Sequence, residues 1–458
     1  MRKRSARILI GFGITFVAVS LLYAVAVAVS AARLRRVYAA LERDGRPMTA
    51  AEIIPPKVPD AQNAALLYES AALLLQGTPA PEKENLRGYL ADLAAQYVDN
   101  SPGPNARAEL QQLFQEPTVS QALSIIAEAS RRPACRFNYN YDAGPSMKMP
   151  DLGMTRDLAR ILAAKACLEA ESADPNAAWE TVWALLALSD ARRAEPAIIN
   201  QLVRMGSFSL SCRTIRRLCE TTLPTDAQYR RLSKLLETLD DIQPLVRAGD
   251  GERLLFVERT FTLPRDRLYQ VLQDNLFSRS YWPPVVHRLR FAWVRFRPNL
   301  LGDHAAALQL LAENMRLLDR PYSRELRQRL DREYYETPNR YLLTHTLLPY
   351  LYSIKAQHCR MVADVHLTRA GLALLRYQEP HGDFPQTLDG LDIQGIDDPF
   401  SGKPLIYHPQ GKGFILYSVG EDQRDNGGVP RPQRQDPDPR KRHAEYDLVW
   451  RFPSAGTP

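Results

Sequence analysis

Eight histidines (His287, His304, His345, His358, His366, His381, His408, His443) and five cysteines (Cys135, Cys167, Cys212, Cys219, Cys359) are the side chains best suited to metal or nucleophilic chemistry. Their spacing suits neither. There is no HExxH pair, no GxSxG elbow and no GxxxxGK[ST] phosphate loop. His358, Cys359, Asp364 and His366 share one predicted helix, but adjacent His358 and Cys359 point about 100° apart around it. Catalysis needs convergence that one helix does not give, so these read as core or surface residues. The cysteines form no CxxC or Cys/His cluster for zinc and do not resemble a disulfide framework. On one helix Cys212 and Cys219 lie about 10.5 Å apart along the axis, too far to bond. No catalytic residue is assigned, and the chain is not expected to be an enzyme. One feature rich in ionisable groups is left, the acidic, glycine-bearing loop Val419-Gly420-Glu421-Asp422-Gln423-Arg424-Asp425-Asn426-Gly427-Gly428.

The elements around that loop are short strands. Leu405-Ile406-Tyr407 and Gly413 to Ser418 have β-type composition around a Pro409 to Lys412 turn, which predicts an antiparallel hairpin. Tyr446 to Trp450 predicts a closing strand. Upstream, from about residue 60 to 378, one helix follows another between Pro, Gly and Asp punctuation. Asp60 is expected to cap the first of them. The clearest pair runs from Thr155 to Ser172 and from Pro175 to Arg193, with Asp174 as cap. Leu158, Ile161, Ala164 and Leu168 are expected to face Ala178, Val182, Leu185 and Leu186. Further helices are predicted from Ala197 to Glu220, Asp226 to Val246, His304 to Leu318 and Tyr341 to Tyr377, the last kinked at Pro349. No 34-residue period recurs, so the middle reads as a bundle or irregular array.

Between Arg253 and Arg297 the composition turns to arginine and aromatics, among them Phe256, Phe261, Tyr269, Phe277, Tyr281, Trp282, Phe291, Trp293 and Phe296. The expectation is a helix pair with core aromatics and snorkelling arginines; an interfacial helix or a partner groove is the alternative.

The tail, about residues 363 to 453, carries a long helix, a "GDFP" turn, a "DPFSGKP" turn, a "GFILYSVGEDQRDNGG" strand and loop, and a closing "YDLVW" strand. In these it resembles the C-terminal domain of the type II secretion major pseudopilins. The resemblance implies a calcium site, with ligands at Asp422 and Asp447, a backbone carbonyl at Val419, and Asp425 as a substitute ligand. A hard cation accepts such oxygens, while a solvated turn rich in Asp, Asn and Gly is the other reading. The resemblance does not reach the N-terminus, where Gly11-Phe12 is followed by Gly13, Ile14, Thr15 and Phe16 rather than by a Glu shortly after the Gly-Phe cleavage point. The layout as a whole is also similar to uncharacterised membrane-anchored bacterial proteins.

The formal charge of +7 is local. Arg2, Lys3, Arg4, Arg7, Arg33, Arg35 and Arg36 supply it, which leaves 52 basic residues against 52 acidic ones elsewhere. A body without surplus charge offers no grip on phosphate backbones, so nucleic acid is excluded as a partner. The seven charges bracket an uncharged run, Ile8 to Ala32, whose 25 residues make a helix of roughly 37 Å against about 30 Å of hydrocarbon. Residues 1 to 36 are therefore expected to be a cytoplasmic tail and transmembrane anchor, with the bulk periplasmic or extracellular. Pro47, Pro55, Pro56 and Pro59 mark residues 37 to 59 as a tether. Residues 60 to 362 form the helical ectodomain, 363 to 453 a pseudopilin-like domain, and 454 to 458 a tail. The fold class is mainly α, with a small antiparallel β (α+β) region at the C-terminus. The expected partners are the lipid bilayer, through Ile8 to Ala32, and an unidentified envelope protein. The expected role is a non-enzymatic scaffold; the alternatives are an accessory subunit of a type II secretion or pilus-like machine and an envelope hydrolase with an unrecognised site.

Overall fold

A computed structural model describes the chain except residues 1, 81–83, 99–105, 173, 274–282, 337–340, 349–350, 392, 431–445 and 454–458. The first element is one helix of 42 residues, α1 (Arg2–Arg43). From Ile10 it is long and apolar enough to cross a membrane, and no part of its most apolar window is buried in the body. Farther along it packs on the helix Arg297–Arg316. Arg33 donates to Gln309 at 2.8 Å, Tyr38 to Glu258 at 3.1 Å, and Arg316 to Asp44 at 2.7 Å.

Residues 37 to 59, expected as a tether, differ. Residues up to Arg43 continue α1, and the proline-rich stretch beyond is fastened to the body. Arg253 donates to the Pro47 carbonyl, Arg247 to that of Ile53 at 2.9 Å and Arg136 to that of Pro55 at 3.0 Å. Ile53 is buried. Prolines do keep the stretch out of a helix, but carbonyls left without helical partners become acceptors for arginines.

The body continues with α2 (Ala64–Gln76), α3 (Leu86–Val98), α4 (Ala106–Gln115), α5 (Pro117–Ala129), α6 (Asp151–Ala170), α7 (Pro175–Asp190) and α8 (Ile198–Leu218). The cap of α2 is Asn63 rather than Asp60, which lies in a preceding 3-10 turn. Asn63 wins because it also bonds both backbone groups of Arg136, at 2.9 Å each, and so ties α2 to the extended strip after α5. Helix α6 is the hub, packing on α3, α7 and α8. The eight facing residues predicted for α6 and α7 are buried, and Asp174 caps α7 through the Ala177 N–H at 3.2 Å.

The predicted helix from Asp226 to Val246 is two, α9 (Asp226–Glu237) and α10 (Gln243–Gly251). Pro244 has no N–H to continue α9, and Asp241 instead accepts from Gln243 N at 2.9 Å. A π-helical turn (Glu252–Val257) leads through α11 (Glu258–Phe261), α12 (Arg265–Leu272) and α13 (Pro284–Arg295) to α14 (Arg297–Arg316). The aromatics predicted as core in this stretch divide. Phe261 and Phe291 are buried, but Trp293 and Phe296 are exposed; Phe277, Tyr281 and Trp282 lie outside the described residues.

After α15 (Arg324–Glu336), the helix expected to kink at Pro349 is interrupted instead. Leu348, the residue before Pro349, ends α16 (Leu342–Leu347) in an extended conformation, and α17 (Leu351–His381) starts anew. The three-stranded antiparallel sheet, β1 (Ile406–Gln410), β2 (Gly413–Ser418) and β3 (Leu448–Phe452), follows in that order. It packs on α17, where Trp450 closes on Gly371: a Cβ there would sit 1.8 Å from the ring. Pro409 is tolerated because β1 is an edge strand.

Candidate functional site

Two clusters of buried charge stand out. The first is the tail loop. After β2 the chain turns at Gly420 and Gln423, both with positive φ, and returns through Gly427 and Gly428 to Asp447. Asp447 is buried, and its two oxygens accept N–H groups from Gly428 at 2.8 Å and Asn426 at 3.4 Å. Asp425 accepts from the Tyr417 hydroxyl at 3.0 Å and from Gly427 N at 2.8 Å. Asp422 accepts from Arg424 N at 3.2 Å and from the Asn426 side chain at 3.1 Å. Burial, reinforced by the nearby charge of Asp425, holds the Asp447 carboxyl above its ordinary range, against the pull of the N–H donors.

Asn426 thus links Asp422 to Asp447, but each of the three predicted carboxylate ligands is engaged by donors of the loop or of Tyr417. Val419 is held from below, its N–H donating to Asp398 at 2.9 Å. Among the described residues no three His, Cys, Asp or Glu side chains are grouped to hold a metal ion. The donors suit calcium in hardness but, as arranged, not in convergence. The proline-rich insert, residues 431 to 443, lies outside the described residues. Asp398 is the residue the sequence reading missed: 2% exposed, it also accepts from Ser418 Oγ at 2.8 Å and Phe400 N at 2.9 Å. An Asp directly before Pro399 in a turn was the available signal.

The second cluster had no motif to reveal it. Arg192, in the turn just after α7, is fully buried. Its guanidinium donates to Asp151 Oδ2 at 2.6 Å, to Thr155 Oγ at 2.6 Å, to the Tyr139 hydroxyl at 2.9 Å and to Asn200, and it lies 4.3 Å above the Phe137 ring. Glu195, also buried, accepts from the Tyr141 hydroxyl at 2.7 Å and Phe137 N at 3.2 Å. Burial raises the Glu195 carboxyl, with Tyr141 and Arg192 opposing. The extended strip with Phe137 and Tyr139, and the 3-10 turn that Tyr141 opens, are thereby pinned to α6, α8 and the connection between α7 and α8. Beside it, burial pushes the Cys135 thiol up to about 12 despite Arg192, so it is protonated at neutral pH and a poor nucleophile.

The helix α17 histidines do structural work. His366 bridges the Asp397 carbonyl, at 2.6 Å, and Asp240, at 2.8 Å. Burial lowers His358 to about 3. A groove of about 630 Å³ opens where the proline-rich strip after α1 meets α10. Two ion pairs line it, Arg46 with Asp250 at 3.0 Å and Arg193 with Asp241 at 2.8 Å, while Arg247 holds the Ile53 carbonyl and Glu52 accepts from Thr49 N at 2.8 Å. All five cysteines are free thiols. Against known proteins, no family model, curated protein or solved structure matches the chain.

Proposed function

We propose that this chain is a single-pass, membrane-anchored envelope protein whose helical body binds another envelope protein and does no chemistry of its own. The observation that carries the reading is α1, whose apolar run is left unburied by the body while its second half is bonded to α14 and to Glu258 of α11. Such a helix holds the body at a fixed position beside a bilayer. The groove supports binding over catalysis, because its Asp250 and Asp241 carboxylates are matched by guanidiniums, and that of Glu52 by Thr49, rather than aimed at an open space. Co-purification from detergent-solubilised membranes tests this: a stoichiometric protein partner is expected. A monomer without partner that hydrolyses an ester or peptide substrate would replace the scaffold with a hydrolase.

A second reading, an accessory subunit of a type II secretion or pilus-like machine, draws on the tail, where a long helix backs a three-stranded sheet across the Gly371 and Trp450 contact. Calcium at Asp422, Asp425 and Asp447 belongs to that reading. Secretion subunits in the co-purified material would favour it.

A further inference from the structure

The outer face of α13 is apolar and faces solvent. Val285, Leu289 and Trp293 are 61%, 66% and 50% exposed. At 100° per residue they fall within an arc of about 80°, opposite the buried His287, Phe291 and Val294. Exposed Arg288 and Arg295 flank the arc on one side and exposed Arg290 on the other. A stripe of Val, Leu and Trp between arginines is the pattern of a helix lying in a membrane interface, where anionic headgroups meet the guanidiniums.

Position decides between lipid and a protein partner. Phe296, at the end of α13, stacks with Trp293 and touches the ring of Tyr23 at 5.6 Å. Tyr23 belongs to the apolar run of α1, nine residues before its end at Ala32, which is about 13 Å along the helix axis. If Ile8 to Ala32 spans the bilayer, the end of α13 cannot stand off in water; it is carried to the depth of the headgroups or below.

We infer that α13 is a second membrane contact, an interfacial helix that lays Val285, Leu289 and Trp293 into an anionic phospholipid leaflet beside the exit of α1. The inference rests on the anchoring proposed above. It gives the body a fixed tilt, since two contacts at one surface remove the rotation that a single helix allows.

The test uses the full chain reconstituted into vesicles of phosphatidylcholine and phosphatidylglycerol whose acyl chains carry bromine near the headgroup or near the bilayer centre. Shallow bromine is expected to quench tryptophan emission more than deep bromine, and Trp293→Phe, a change at an exposed position, to abolish that difference. Replacing phosphatidylglycerol by phosphatidylcholine is expected to weaken the shallow quenching. If the chain floats with the vesicles but Trp293→Phe leaves the quenching unchanged, α13 does not touch lipid and the inference fails while the anchor stands. A Trp293 signal that is blue-shifted yet unquenched would place a protein on this face and also overturn it. If the chain does not float, the anchoring reading itself has failed.

Discussion

The Arg192 cluster and the tail loop solve opposite problems with the same means. In the body a buried cation is surrounded by acceptors drawn from the strip after α5 and from α6 and α8; in the tail a buried anion, Asp447, is surrounded by N–H donors from a single loop. The first knits distant elements together, so its loss should propagate. The second shapes one turn, so its loss should stay local. A hydrogen-bonded buried charge is costly to leave half-partnered, whichever sign it carries.

The sharpest way to break this contrast is Arg192→Met. It strands the Asp151 carboxylate and the Asn200 carbonyl in the interior and is expected to cost about 3–5 kcal/mol, read by denaturant unfolding of the detergent-solubilised chain. A loss below 1 kcal/mol, on the order of a surface substitution, would show that the cluster holds nothing together. Gly371→Leu comes next. Its side chain would occupy the space of the Trp450 ring, and overpacking of this kind costs about 1–3 kcal/mol; protease cleavage between α17 and β3 should accelerate while the body stays intact.

A third test concerns pH. Burial pushes the Glu252 carboxyl up to about 7 from 4.5, so between these values the folded state binds more protons than the unfolded chain. Stability from this group is therefore greatest near pH 4.5, falls as pH rises toward 7 and is level above. Glu252→Gln keeps an acceptor for Ile198 N–H and should remove that slope: the difference in melting temperature between wild type and variant changes across the window and is flat outside it. The smallest expected effect is in the tail. Because the loop supplies its own donors to Asp422, Asp425 and Asp447, melting temperatures in calcium and in chelator should coincide. A rise with calcium that Asp447→Asn abolishes would move the loop from turn to metal site.

The two clusters also differ in how far they were legible. The tail loop announces itself because its Asp, Asn and Gly residues are close together, and the short β-branched and aromatic runs around it have the composition of strands. The Arg192 cluster is assembled from positions 137 to 200, each ordinary in its own helix or strip, and only packing brings them together. Helix faces such as Leu158 with Val182 follow from spacing alone. The proline-rich segment after α1 did not, since prolines tell what a stretch avoids but not which arginines its carbonyls meet. Nor did the outward turn of Trp293, because composition does not say which side of an amphipathic helix the body covers.

Everything in the account starts from α1 as a lipid-embedded helix continuous with the body. Alkaline extraction of membranes from cells making the full chain tests that most directly. The account predicts that the protein stays in the membrane pellet and is released only by detergent; recovery of the intact chain in the soluble fraction would contradict it.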